Sequence, residues 1–172
     1  MNLFRRLGPV VASVLALAGC ASVERLDAAS DVHALLVAIR DDDKAAFEAH
    51  VDRPALEREI GARLSAEIAK PNADPTLRAI GALLGPAAAD IAGDVLLRPS
   101  VFRAVAEYYG YQSGQPLPGR VAIAGVLKPM GDGRVCATRK KDGPCLLVFT
   151  QEEGVWKLSG FQGDASMLRP TS

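Results

Sequence analysis

The chain is poor in the residues that metal and redox sites need. Of 172 residues, two are histidine and three are cysteine. His33 and His50 stand apart from one another and from Cys20, Cys136 and Cys145, so no zinc-like ligand spacing exists. No Gly-x-Ser-x-Gly elbow surrounds a serine, which removes the usual strand-to-helix nucleophile. Charge of one sign is also missing, with 20 basic against 20 acidic residues. A chain so balanced has no basic field for nucleic acid and no polybasic patch for anionic lipid. Two short stretches stand out, the apolar Leu7–Leu17 and the uncharged Ala79–Ala89, each of about eleven residues, where a membrane-spanning helix needs about twenty. No cofactor and no catalytic residue is expected, and an enzyme is not the leading reading.

What is present begins at the N-terminus. Met1 to Arg6 is short and basic, with Arg5 and Arg6 and no acid before Glu24. Leu7–Leu17 is apolar, interrupted early by Gly8-Pro9, and Ala18-Gly19 supplies small residues. These are the three parts of a secretory signal. Leu17-Ala18-Gly19-Cys20 is similar to the lipobox of bacterial lipoproteins. That resemblance implies cleavage before Cys20, acyl chains on Cys20 and membrane attachment through them. Ala21-Ser22 follow the cysteine with no acid, which in that family implies the outer membrane, facing the periplasm. The remaining chain, roughly 150 residues, is the size of one domain. Its organisation is read as signal 1–19, lipidated tether 20–30 and a single domain 31–172, helical over 31–109 and β-rich over 120–162.

Within that domain Ser30 reads as an N-cap with Asp31 in the first turn. Val32, Leu35, Leu36 and Ile39 follow at helical spacing. Asp41-Asp42-Asp43 ends this helix and caps a short one bearing Phe47 and Val51. Asp52-Arg53-Pro54 starts a third, with proline where no donor is lost. Leu56, Ile60, Leu64 and Ile68 form its apolar stripe, beside a charged line of Glu59, Arg63 and Glu67. Ala79–Ala89, broken by Gly85-Pro86, reads as a buried helical hairpin or a kinked helix. Pro99 restarts a helix through Tyr109. After the loop Gly110–Gly119, Val121–Leu127, Arg134–Arg139, Cys145–Thr150 and Val155–Phe161 read as strands joined by glycine turns. The predicted class is α+β: N-terminal helices packed on a C-terminal antiparallel meander of about four strands.

Phe47-Glu-Ala-His-Val-Asp-Arg-Pro-Ala-Leu56 resembles a motif of an uncharacterised family of small bacterial envelope proteins. Leu97-Arg-Pro-Ser-Val-Phe102 matches the proline-led helix of that family, and Trp156-Lys157-Leu158 its terminal strand. The likeness runs from about Asp31 to Phe161. It implies the architecture and carries no catalytic residue. The order of elements is also similar to the nuclear transport factor 2-like cone.

Cys136 and Cys145 lie on consecutive predicted strands. A turn centred on Lys140-Lys141 sets them face to face, within reach of a bridge. A turn centred on Asp142-Gly143 shifts the register and separates them; Pro144 speaks against it. Asp41-Asp42-Asp43 is better a cap than a cation loop, and Gly131-Asp-Gly133 a hairpin turn before a phosphate loop. Tyr108, Tyr109 and Tyr111 form an aromatic cluster that either seals a helix end or lines a surface for a ligand or partner. Trp156 is expected in the core. The functional expectation is a non-enzymatic envelope lipoprotein with an interaction or maintenance role and a possible envelope protein partner. The alternative is a periplasmic module for a small apolar ligand.

Overall fold

The computed structural model describes residues 8–72, 74–76, 79, 93–108, 110–112, 114–141 and 143–162, with residues 8–21 described by backbone alone. The helices are α1 (Gly8–Asp41), α2 (Lys44–Ala49), α3 (Arg53–Ile68), α4 (Pro99–Tyr108) and α5 (Arg120–Val126). The strands are β1 (Leu127–Gly131), β2 (Arg134–Thr138), β3 (Cys145–Glu152) and β4 (Val155–Phe161), in antiparallel order β1-β2-β3-β4. The α+β class and the terminal meander are as expected.

Local chemistry sets the helix starts. Asp43 accepts the Ala46 amide at 3.0 Å and opens α2. Asp52 accepts the Ala55 amide at 3.0 Å and opens α3, with Pro54 in the first turn. Each such cap contributes about 1 kcal/mol. Asp42 takes φ 55, the left-handed bend that separates α1 from α2.

Three local expectations differ from the structure. The segment Cys20–Ala29, expected as a tether, is helical: α1 runs unbroken through it, and Ala28 and Ala29 are fully buried. Ser30, expected to cap, sits inside the helix and donates its hydroxyl to the Leu26 carbonyl at 3.3 Å. Small side chains let α1 approach the sheet there, and that packing carries the helix past the polar residues. Val121–Leu127 is also mostly helix: α5 covers Arg120–Val126, and only Leu127 begins a strand. Its alternation suits a strand, but docking on α1 with Ile123 buried decides the outcome. The stripe on α3 is buried fully only at Leu56; Ile60, Leu64 and Ile68 are half-buried.

The core lies between the helices and one sheet face. Trp156, Phe47, Phe149, Leu56, Leu97, Leu127, Leu158 and Val135 are its largest fully buried side chains. Phe47 meets Phe102 edge-to-face with ring centroids 5.2 Å apart. Cross-strand pairs Val135–Phe149 and Phe149–Leu158 line the inner face.

The outer edge of β4 is closed group by group. The Trp156 amide donates to Asp31 at 2.8 Å, and the indole Nε1–H to Asp27 at 2.9 Å. The Leu158 amide donates to the His50 carbonyl, and the Leu158 carbonyl accepts from the Asp52 amide, both at 2.9 Å. The Phe161 amide donates to Glu59 at 2.9 Å, and the Phe161 carbonyl accepts from Arg63. The outward amides of Trp156, Leu158 and Phe161 are thus all taken, which leaves a second sheet little template there. On the opposite edge, β1 is short and carries Lys128 and Pro129, which blunt it.

Candidate functional site

The segment quoted for the family resemblance turns out to be a clasp. Val51 bridges to Leu158 of β4, and Asp52 both caps α3 and donates its amide to β4. Arg53 donates to Glu48 through Nε and Nη2, at 3.3 and 2.5 Å. It also donates to Glu57 at 3.4 Å and to the Leu97 carbonyl at 3.1 Å, and lies 3.6 Å from Asp94. The carboxylate of Glu48 holds the Arg53 guanidinium above its ordinary pKa. Leu97 is buried, and Phe102 stacks on Phe47. The two quoted motifs therefore meet in space, and Glu48, His50, Asp52, Arg53 and Arg98 all spend polar groups on the fold.

Cys136 and Cys145 form a disulfide, with Cα atoms 5.6 Å apart. The expected face-to-face register is not how it is made. Cys136 lies opposite Val148 and Cys145 opposite Thr138, with a register shift between Ala137 and Thr138. The bulge brings the two sulfurs together diagonally across the hairpin. Buried Thr138 places its hydroxyl 3.0 Å from the Val126 carbonyl and 2.6 Å from the Lys140 carbonyl. Lys128 donates to the Gly143 carbonyl at 3.2 Å. These contacts tie the hairpin to the end of α5.

Tyr108 is 82 % exposed, and Tyr109 lies outside the described residues. Tyr111 lines an apolar recess of about 60 Å³ with Leu36, Ile39, Ala106 and Leu117, and its hydroxyl donates to the Gln115 carbonyl at 3.4 Å. Apart from Ala79, the uncharged run Ala79–Ala89 lies outside the described residues. Both histidines are tied into the fold. His33 Nδ1 is 3.1 Å from the Pro118 carbonyl. His50 Nδ1 is 3.0 Å from the Ala46 carbonyl, with Nε2 3.6 Å from Asp31. Among the described residues no cluster of histidine, cysteine and carboxylate could hold a metal ion. Cys20 lies on the α1 backbone; its side chain is outside what is described.

A polar groove of about 490 Å³ lies between α3 and the outer face of the sheet. Arg58 and Glu59 of α3 form one wall, and Arg134, at the start of β2, contributes another part of the lining. Thr150 and Ser159 line the sheet side, their hydroxyls 2.7 Å apart. Gly160 completes it: a Cβ there would come 2.8 Å from Glu59 Oε2. Sequence reasoning missed this site. Arg58 reads as a solvated helix face, and Arg134 as the polar end of a strand. Only the alternation Val148, Thr150 along β3 marks the shared face, and it says nothing of α3 lying beside it.

Among the described residues no helix is long and apolar enough to cross a membrane. No curated protein and no solved structure matches the chain. The family described as "Protein of unknown function (DUF2939)" matches residues 10–105, more than half of the sequence. That span holds α1 from its third residue, the α2–α3 clasp and most of α4, and it includes both helical motifs quoted above. With a match of that extent, the chain belongs to the DUF2939 family of proteins of unknown function.

Proposed function

We propose that the chain is a lipid-anchored lipoprotein of the cell envelope. Acyl chains on Cys20 hold it at the outer membrane, facing the periplasm, and its domain acts by contact with another envelope component rather than by catalysis. The observation that carries this reading is the distribution of cysteines. Of three, Cys136 and Cys145 are bridged, leaving Cys20, directly after an apolar run and Ala18-Gly19. A bridged pair suits an oxidising compartment. Several acyl chains give the stable attachment that one chain does not. The use of Asp52, Arg53 and Glu48 in the clasp supports a non-catalytic role.

In this reading the anchor stands close to the domain. Only Ala21 to Leu26 separate Cys20 from Asp27, which Trp156 already holds. As helix, at about 1.5 Å per residue, that spacer reaches about 10 Å. A module for an apolar ligand is the second reading. Tyr111 favours it by lining an apolar recess, yet the recess of about 60 Å³ falls well below the usual ligand pocket of about 300–1,000 Å³.

Two experiments test the lead. Intact mass of the mature protein should show an acylated N-terminal Cys20, and Cys20→Ala should release the protein from membranes. Retention of Cys20→Ala through a carbonate wash, with no acyl mass on the parent, rejects the anchor. Crosslinking in intact cells should then capture a reproducible partner dependent on the domain. Its absence from an abundant, anchored protein rejects the interaction role.

A further inference from the structure

We infer that the groove between α3 and the outer sheet face binds a phosphate carried on a hydroxylated body. The inference stands apart from the anchor at Cys20. Its first support is cation placement. Arg58 and Arg134 reach the groove from α3 and from β2. Among the described residues neither guanidinium makes a side-chain hydrogen bond or an ion pair. The two acids of the groove are already engaged. Asp52 accepts the Ala55 amide, and Glu59 accepts the Phe161 amide and pairs with Arg63 at 2.7 Å. The groove side chains left to meet a ligand are therefore the guanidinium groups of Arg58 and Arg134.

The second support is the sheet side. The Ser159 hydroxyl donates to the Val148 carbonyl at 3.3 Å, so the Thr150 hydroxyl, 2.7 Å away, donates to Ser159. Each hydroxyl has then spent its proton and keeps lone pairs to accept from a ligand. Such a surface favours ligand hydroxyls beside the anion. Gly160 keeps the space open, since any side chain there meets Glu59. A phosphate offers oxygens to guanidinium groups arriving from different elements, which a planar carboxylate does less well. The volume of about 490 Å³ lies inside the range of ligand pockets, about 300–1,000 Å³.

Two sources share this chemistry: a free glycerol or sugar phosphate, and the headgroup of phosphatidylglycerol. The test uses the full chain with its disulfide intact and amide chemical shifts as readout. Glycerol 3-phosphate is titrated in one arm and dihexanoyl phosphatidylglycerol in the other, with dihexanoyl phosphatidylcholine as the control. Saturable shifts at Thr150, Ser159 and Gly160 are expected, weakened about ten-fold by Arg58→Ala or Arg134→Ala. Arg120→Ala, on exposed α5 outside the groove, should leave binding unchanged. Response to glycerol 3-phosphate assigns the free phosphate; response to the glycerol lipid alone assigns the headgroup. No saturable shift in either arm, equal response to the choline lipid, or binding indifferent to both arginines overturns the inference. Arg58 and Arg134 are exposed, so their variants keep the fold, and an unchanged melt verifies it.

Discussion

Replacing Asp31 by alanine should destabilise the protein by about 1–2.5 kcal/mol. Trp156 is 1 % exposed, and its amide hydrogen goes to the Asp31 carboxylate at 2.8 Å. Without the carboxylate a buried donor stays unmet, at about 1–3 kcal/mol. The contact of Asp31 with His50, at 3.6 Å on partly exposed side chains, adds at most about 1 kcal/mol. Against these, alanine is the better helix former by about half a kcal/mol. Asp27→Ala should cost less, about 1 kcal/mol, because Asp27 is exposed and water can reach the indole N–H in its place. Asp31→Asn keeps an acceptor and should recover half of the loss or more. Urea unfolding followed by fluorescence suits the case, since Trp156 is the sole tryptophan. For a domain of this size the Asp31→Ala change corresponds to a fall in Tm of about 3–8 °C. If Asp31→Ala unfolds within about 0.5 kcal/mol of the parent, with unchanged emission, β4 is not held by α1 and the account of the closed edge is wrong.

Other perturbations separate the remaining features. Cys136→Ser should cost about 2.5–3 kcal/mol by loop entropy, and reduction should lower the parent to the same level but leave Cys136→Ser unmoved; equal stability of both forms refutes the contribution. Phe47→Ala, at a fully buried ring stacked on Phe102, should cost about 3–5 kcal/mol in the same urea assay; a loss under about 1 kcal/mol would show that the site is not core. The Arg40 guanidinium, bonded to Asp41 at 2.7 and 2.9 Å, holds that carboxyl below its usual range. A group so depressed favours the fold above its ordinary pKa and loses that contribution as pH falls through the lowered value. Arg40→Ala should therefore raise the Asp41 titration midpoint by NMR; an unmoved midpoint refutes the pairing.

What the sequence reveals here is what short separations decide. Asp43 and Asp52 announce their caps because the partner amide lies three residues on. Cys136 and Cys145 can be paired because a hairpin leaves few arrangements, although the bulge that skews them leaves no sign. Trp156 is legible as core from its strand, but its two carboxylate partners lie 125 and 129 residues away. No spacing rule reaches so far. Cys20–Ala29 and Val121–Leu127 mislead for one reason: α1 docks on both the sheet and α5, and tertiary packing overrides local pattern. The groove is invisible for the same cause, since Arg58 and Arg134 share only a place in the fold.

The closed edge of β4 also governs the order in which the chain can become stable. The partners of β4 on its outer side all come from α1, the Val51 bridge and α3, made long before it. Phe161 and Glu59 are 102 residues apart, and Trp156 and Asp31 are 125 apart. Contacts of such separation close late and slow the search for the native state. Until β4 arrives, Asp27, Asp31, Glu59 and the His50–Asp52 backbone lack the partners that β4 brings, beside an apolar face with no cover. Residues 10–105, the span of the family match, end before the four strands that complete this core. A fragment ending there should collapse loosely and expose hydrophobic surface, and a nascent chain at that length has need of a chaperone until its last strand is made.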